Sequence, residues 1–113
     1  MITAIIRNSK IDALNVALNE IGVHGMTTTY VNGYGKQKGA TEVYRGAEME
    51  IKFNPKIRVD IAVTDDKTDQ TVGVIADTAK TGNVGDGKIF ITEISKVVRV
   101  RTGRSTNKSY NEF

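Results

Sequence analysis

Gly82, Gly85, Gly87 and Lys88 fall within seven residues of the stretch KTGNVGDGKIF (80–90). That combination can hold an anion. Glycine tolerates φ > 0 and close backbone approach, so successive N–H groups can turn toward one point, and an ammonium at the end of the turn adds charge. Gly82 to Lys88 also fits the phosphate-loop pattern G-x-x-x-x-G-K, but Ile89 stands where a Mg²⁺-binding Ser or Thr should follow. A second stretch, GYGKQKG (33–39), again sets glycines beside lysines, Lys36 and Lys38. Farther on, Arg99 and Arg101 alternate around Val100, which would place both guanidiniums on one face of a strand. Together these three groups could converge on a polyphosphate.

The elements that must position them follow from periodicity. Ile2 to Ile6 is apolar and reads as a strand. Ser9 is placed to cap the helix that follows, with Ile11, Leu14, Leu18 and Ile21 at helical spacing and Gly22 ending it. Thr27 to Val31 is β-branched and aromatic, a second strand. KIRVDIAV (56–63) alternates charged and apolar residues, a third strand with one buried face. Asp65 or Asp66 caps a second helix with an inner stripe of Val72, Ile75, Ala76 and Ala79, closed by Gly82. Lys88 to Ile94 is a fourth strand, and Val97 to Val100 a short extra one.

This order places TGNVGDGK after a helix and before a strand. True phosphate loops run the other way, so that the helix dipole faces the phosphates. The Walker reading therefore fails on context. A phosphate-holding nest and a plain helix end with a tight turn both remain open from this stretch alone.

The element order β-α-β, β-α-β is that of an α+β, ferredoxin-like sandwich, an antiparallel sheet with two helices on one face. One chain of this size offers nothing to cover the sheet's other face, so oligomerisation is expected. Residues 36–54 form a connection far longer than a hairpin needs, and connections of that length are commonly functional. Glu48 to Phe53 is expected to extend the neighbouring strands.

At 113 residues the chain amounts to one domain, 1–113. It has no cysteine and one histidine, His24, so thiolate sites are ruled out and a dedicated zinc site is disfavoured. No apolar run reaches the ~20 residues of a membrane span, which makes a cytoplasmic protein the expectation. Net charge is +3, and Arg99, Arg101, Arg104 and Lys108 load the C-terminal end, a balance that suits an anionic partner. A ferredoxin-like RNA-binding module is the alternative this raises. Such modules stack bases on strand aromatics, and the fourth strand offers only Phe90. An acylphosphatase-like enzyme would rest on Arg7 and Asn8 alone, and the Asp65–Asp66 pair is better explained by helix capping than by paired catalytic carboxylates.

GYGKQKGATEVYRGAE (33–48), KTGNVGDGKIF (80–90) and VVRVRTG (97–103) closely resemble the three hallmark segments of the PII nitrogen-regulatory signal transduction proteins. The likeness runs from Ile2 to Gly103, leaving a C-terminal tail at about 104–113 outside it. The resemblance implies a homotrimer of ferredoxin-like subunits that binds ATP or ADP in clefts between subunits. It also implies sensing of 2-oxoglutarate beside Mg-ATP, and contact with target proteins through a long T-loop, here about 36–54. Targets in the family include an ammonium transporter, which would recruit the protein to the membrane, transcription factors and metabolic enzymes; neither an enzymatic role nor a nucleic-acid partner is expected.

Matched position by position, the resemblance places Gly35, Lys36, Gln37, Gly85, Asp86, Gly87 and Lys88 on one side of the nucleotide cleft. Thr27, Ala62, Arg99 and Arg101 come from the neighbouring side. Gln37 is the implied Mg²⁺ ligand, supplying a hard oxygen beside the ATP phosphates, while Gln37, Lys38, Gly39 and Lys56 are implied to hold 2-oxoglutarate. The chain also departs from the pattern. Met49 and Ala47 stand where relatives carry a modifiable tyrosine or serine, which implies control by ligands alone, although Tyr44 keeps a hydroxyl on the same segment. Lys36 replaces a frequent arginine, reducing a fork to a point charge.

Overall fold

The computed structural model describes residues 1–34 and 53–105. In β1 (Ile2–Arg7), Ile2, Ala4 and Ile6 are buried while Thr3, Ile5 and Arg7 are half-buried, the two-residue period of a strand with one fully covered face. A 3₁₀ turn (Asn8–Lys10) leads into α1 (Ile11–Glu20). The remaining elements are β2 (Thr27–Gly33), β3 (Asn54–Ile61), α2 (Asp65–Ala79), β4 (Lys88–Ile91) and a small hairpin of β5 (Val98–Arg99) with β6 (Arg104–Ser105). The main sheet has the order β2-β3-β1-β4, and each neighbouring pair is antiparallel. This is the expected ferredoxin-like α+β arrangement.

Both helices lie on one face. Leu14 and Leu18 of α1 and Ile75 and Ala79 of α2 join Ile2, Ala4, Ile6, Ile57, Val59 and Ile61 of the sheet in a single core. Each fully buried Leu or Ile there contributes roughly 1.5–3 kcal/mol relative to exposure. In the register, Ile5 faces Arg58 and Lys88, Arg7 faces Lys56, and Thr3 faces Asp60 and Phe90. Those residues form the opposite face, on which no described element of this chain packs. Phe90 is its one aromatic side chain among the described residues.

Several sequence expectations shift. No side chain caps the first helical segment, because the chain enters through the 3₁₀ turn with Ser9 already inside it. The N-cap of α2 is Thr64, whose hydroxyl donates to the Asp66 carboxylate, so Asp65 and Asp66 occupy the first helical turn. There they complement the helix dipole rather than cap it. The buried stripe of α2 is Thr71, Ile75 and Ala79, at strict i, i+4 spacing, and Ala76 is exposed. The buried Thr71 hydroxyl is satisfied by the Lys67 carbonyl at 2.8 Å. The helix ends at Ala79, and Gly82 turns the chain with φ 90 only after Lys80 has become extended. β4 is shorter than expected, leaving the sheet after the Met1–Thr92 backbone pair. Arg104 and Ser105, assigned by sequence to the tail, pair with Arg99 and Val98.

Candidate functional site

The loop between α2 and β4 is built around one carboxylate. Asp86 Oδ2 accepts from the Thr81 and Gly82 amides at 2.7 and 2.9 Å, and Oδ1 accepts from the Thr81 hydroxyl and from Arg7 Nε at 3.1 Å. The Thr81 hydroxyl and amide first, with smaller help from the Gly82 amide and Arg7, hold its carboxyl well below the usual carboxylate range against the opposing effect of desolvation. A depressed folded value means that this contribution is complete above the ordinary carboxylate pKa and is lost only as pH falls through the lower, folded one. We therefore expect the Asp86 carboxyl signal in NMR to show no midpoint near about 3.9. A midpoint there would show that the loop is not tied through this group.

Gly82, Gly85 and Gly87 all have positive φ, at 90, 104 and 111°. For Gly87 the reason is also steric. A Cβ there would sit 1.8 Å from the Ile5 carbonyl oxygen, so only glycine lets the loop lie against β1. At Gly85 a Cβ would come within 3.0 Å of the Arg7 guanidinium. Arg7 Nη2 also donates to the Val84 carbonyl at 3.0 Å, and Lys56 Nζ donates to the Gly85 carbonyl.

Of the residues expected from sequence, the structure gathers Gly85, Asp86, Gly87, Lys88 and Lys56 at one end of the sheet. Lys88, the first residue of β4, is exposed on the open face beside Ile5. Gly33, at the end of β2, reaches the same region, because its strand pairs Val31 with Lys56. Gly35, Lys36, Gln37, Lys38 and Gly39 lie outside the described residues, as do Tyr44, Ala47, Met49, nearly all of the expected T-loop and Lys108.

Thr27 and Ala62 lie at the opposite end of the sheet from this cluster within one chain. Thr27 opens β2 opposite Asp60, and Ala62 follows the end of β3. Thr27 and Gly33 are six residues apart on one strand, about 20 Å. Arg99 and Arg101 do not share a strand face. β5 ends at Arg99, and Arg101 lies in the turn that Gly103 closes by donating its amide to the Arg99 carbonyl at 2.8 Å. Gly103 has φ 67, and this turn chemistry overrides the alternating pattern.

The Asp86 carboxylate is taken up by donors of its own loop and by Arg7, which makes it an organiser of the turn that the resemblance sets beside a nucleotide. Sequence alone offers Arg7 only as an enzymatic candidate; in the structure its fork is committed to Val84 and Asp86. The signal that could have found it is its strand phase, which puts Arg7 on the open face in line with Ile5 and Lys88. A cleft of about 330 Å³ also borders Gly87 and Lys88, lined by Ile6, Ile75, Ala76, Ala79 and Ile89 together with Lys80 and Asp86.

Comparison with known proteins gives a consistent result. A family model described as nitrogen regulatory protein P-II matches residues 1–104. Nitrogen regulatory protein GlnK of Escherichia coli K12 is 44% identical over 105 residues, 93% of this chain and 94% of that protein. Nitrogen regulatory protein P-II of Klebsiella oxytoca is 52% identical over 102 residues, 90% and 91% of the two chains. Among solved structures, Arabidopsis thaliana PII bound to citrate superposes with a TM-score of 0.79 at 32% identity, covering 99% of this chain and 89% of that one. These relatives are named as regulators, not enzymes. The chain belongs to the nitrogen regulatory protein P-II family.

Proposed function

We propose that this protein is a single-domain PII-type signal transducer that binds ATP or ADP, senses 2-oxoglutarate with Mg-ATP, and regulates nitrogen metabolism or transport through its T-loop. The observation that carries this reading is the convergence of three positive-φ glycines with Lys56 and Lys88 at one end of the sheet. The carboxylate among them, Asp86, is saturated by local donors, so the cluster suits an anion.

Thr27 and Ala62 of the second group lie at the far end of the sheet from the first in the same chain, so a complete cleft needs a neighbouring subunit. A homotrimer supplies it and also covers the open sheet face. Among the described residues no three His, Cys, Asp or Glu side chains could hold a metal. As the resemblance implies, Mg²⁺ would take its oxygens from the phosphates and Gln37, neutralising charge and presenting a site for 2-oxoglutarate beside Lys38, Gly39 and Lys56. A relative bound to citrate is consistent with a carboxylate ligand. No described helix is long and apolar enough to cross a membrane, and we place the protein in the cytoplasm, recruited to the membrane if its target is an ammonium transporter. Transcription factors and metabolic enzymes are the other target classes.

Calorimetry tests this reading. ATP should bind alone, and 2-oxoglutarate should bind only when Mg-ATP is present, because nucleotide and metal complete its site. Tight 2-oxoglutarate binding to the nucleotide-free protein, or none with Mg-ATP, would count against it.

A further inference from the structure

Arg7 ends β1 on the open face, and its side chain is 33% exposed. Its guanidinium uses two nitrogens on two acceptors of one loop, Nε on Asp86 Oδ1 at 3.1 Å and Nη2 on the Val84 carbonyl at 3.0 Å. Asp86 in turn holds the Thr81 and Gly82 amides. A continuous chain of charge-assisted bonds therefore runs from the sheet through Arg7 and Asp86 to the start of the turn. Gly87, against the Ile5 carbonyl, is the loop's other point of attachment to the same strand. Gly85 is matched to this arrangement, since a Cβ there would press on the Arg7 guanidinium.

We propose that Arg7 is the positioning residue of the glycine turn, acting through Asp86 in two ways. It fixes the turn's orientation on β1, and it balances the one carboxylate that would otherwise repel a polyphosphate. This proposal rests on the nucleotide-binding reading above. A planar fork is needed because two acceptors of different kinds must be reached at once, which a lysine ammonium does less well. The balance is electrostatic, so its effect should grow with the charge of the ligand.

The experiment compares Arg7→Met, Arg7→Lys and the double variant Arg7→Met/Asp86→Asn in the full chain. It uses ATP and ADP titrations and hydrogen exchange at the Thr81 and Gly82 amides. Arg7→Met should weaken ATP binding about tenfold, ADP binding by less, and speed exchange at both amides. Arg7→Lys should recover much of the affinity but little of the protection, because it restores charge without the fork. The double variant should bind ATP better than Arg7→Met although its turn is looser, a recovery that a purely structural role for Arg7 would not produce. Unchanged exchange in Arg7→Met overturns the positioning role. Equal losses for ATP and ADP, with no recovery in the double variant, overturn the charge-balancing one. Failure of the unsubstituted protein to bind either nucleotide removes the functional reading and the charge-balancing role with it, and the exchange measurement still decides the clamp.

Discussion

Gly87→Ala should destabilise the fold by about 3–5 kcal/mol. The φ of 111° costs an L-residue on the order of 1–2 kcal/mol, and a methyl group 1.8 Å from the Ile5 carbonyl oxygen cannot be accommodated without moving backbone. That carbonyl belongs to β1, the central strand that pairs with both β3 and β4, so the displacement strains the ladder as well as the loop. Against a typical total of about 5–15 kcal/mol the loss is large, and it corresponds to a fall in Tm on the order of 10–20 °C. Gly82→Ala is the internal comparison. Its φ is also positive, at 90°, but nothing lies within 4 Å of the added Cβ, so only the backbone cost of about 1–2 kcal/mol should appear. Thermal unfolding of both variants at one protomer concentration separates the two costs. Equal Tm values for the two would mean that the turn does not lie against β1 as described.

Lys88→Ala should behave in the opposite way, sparing the fold and removing ligand affinity. Lys88 is exposed at the start of β4, and no described side chain depends on its ammonium for a hydrogen bond or ion pair. Loss of one charge-assisted phosphate contact costs about 1.5–3 kcal/mol, roughly a ten- to hundredfold rise in the Kd for ATP. Calorimetry reads the affinity, and unfolding by urea reads the stability. Unchanged ATP affinity would remove Lys88 from the site, and a large stability loss would assign it a structural role instead.

The fold was legible because its signals are local. The alternation in KIRVDIAV and the helical spacing of Leu14 and Leu18 each report a covered face without reference to the rest of the chain. What sequence reading misjudged depended on partners distant in sequence or on competing turn chemistry. Asp86 reads as one more polar residue in a glycine turn until Arg7, 79 positions away, is found against it. Arg99 and Arg101 alternate as a strand would, yet Thr102 and Gly103 prefer to turn the chain, and backbone conformation prevails over a three-residue pattern. Thr71 joins the buried stripe although it is polar, because a helix supplies its own acceptor at i−4. The glycine turns were found as candidate anion sites from residue type alone. Which groups occupy their amides and carbonyls was not, since that follows from three-dimensional proximity.

Tyr34 and Phe53 stand edge to face with ring centroids 5.2 Å apart, one step beyond the last backbone pair, Gly33 with Asn54. The intervening segment thus departs from and returns to nearly the same point, whatever its length. Once the ends of a segment are held together, doubling its length costs only about 0.6 kcal/mol in closure entropy. The sheet beneath is therefore indifferent to what is spliced in above this aromatic pair. Insertions, deletions and replacement between positions 40 and 52 can therefore accumulate in a lineage at little cost to the sheet, leaving its core sequence under unrelated constraints.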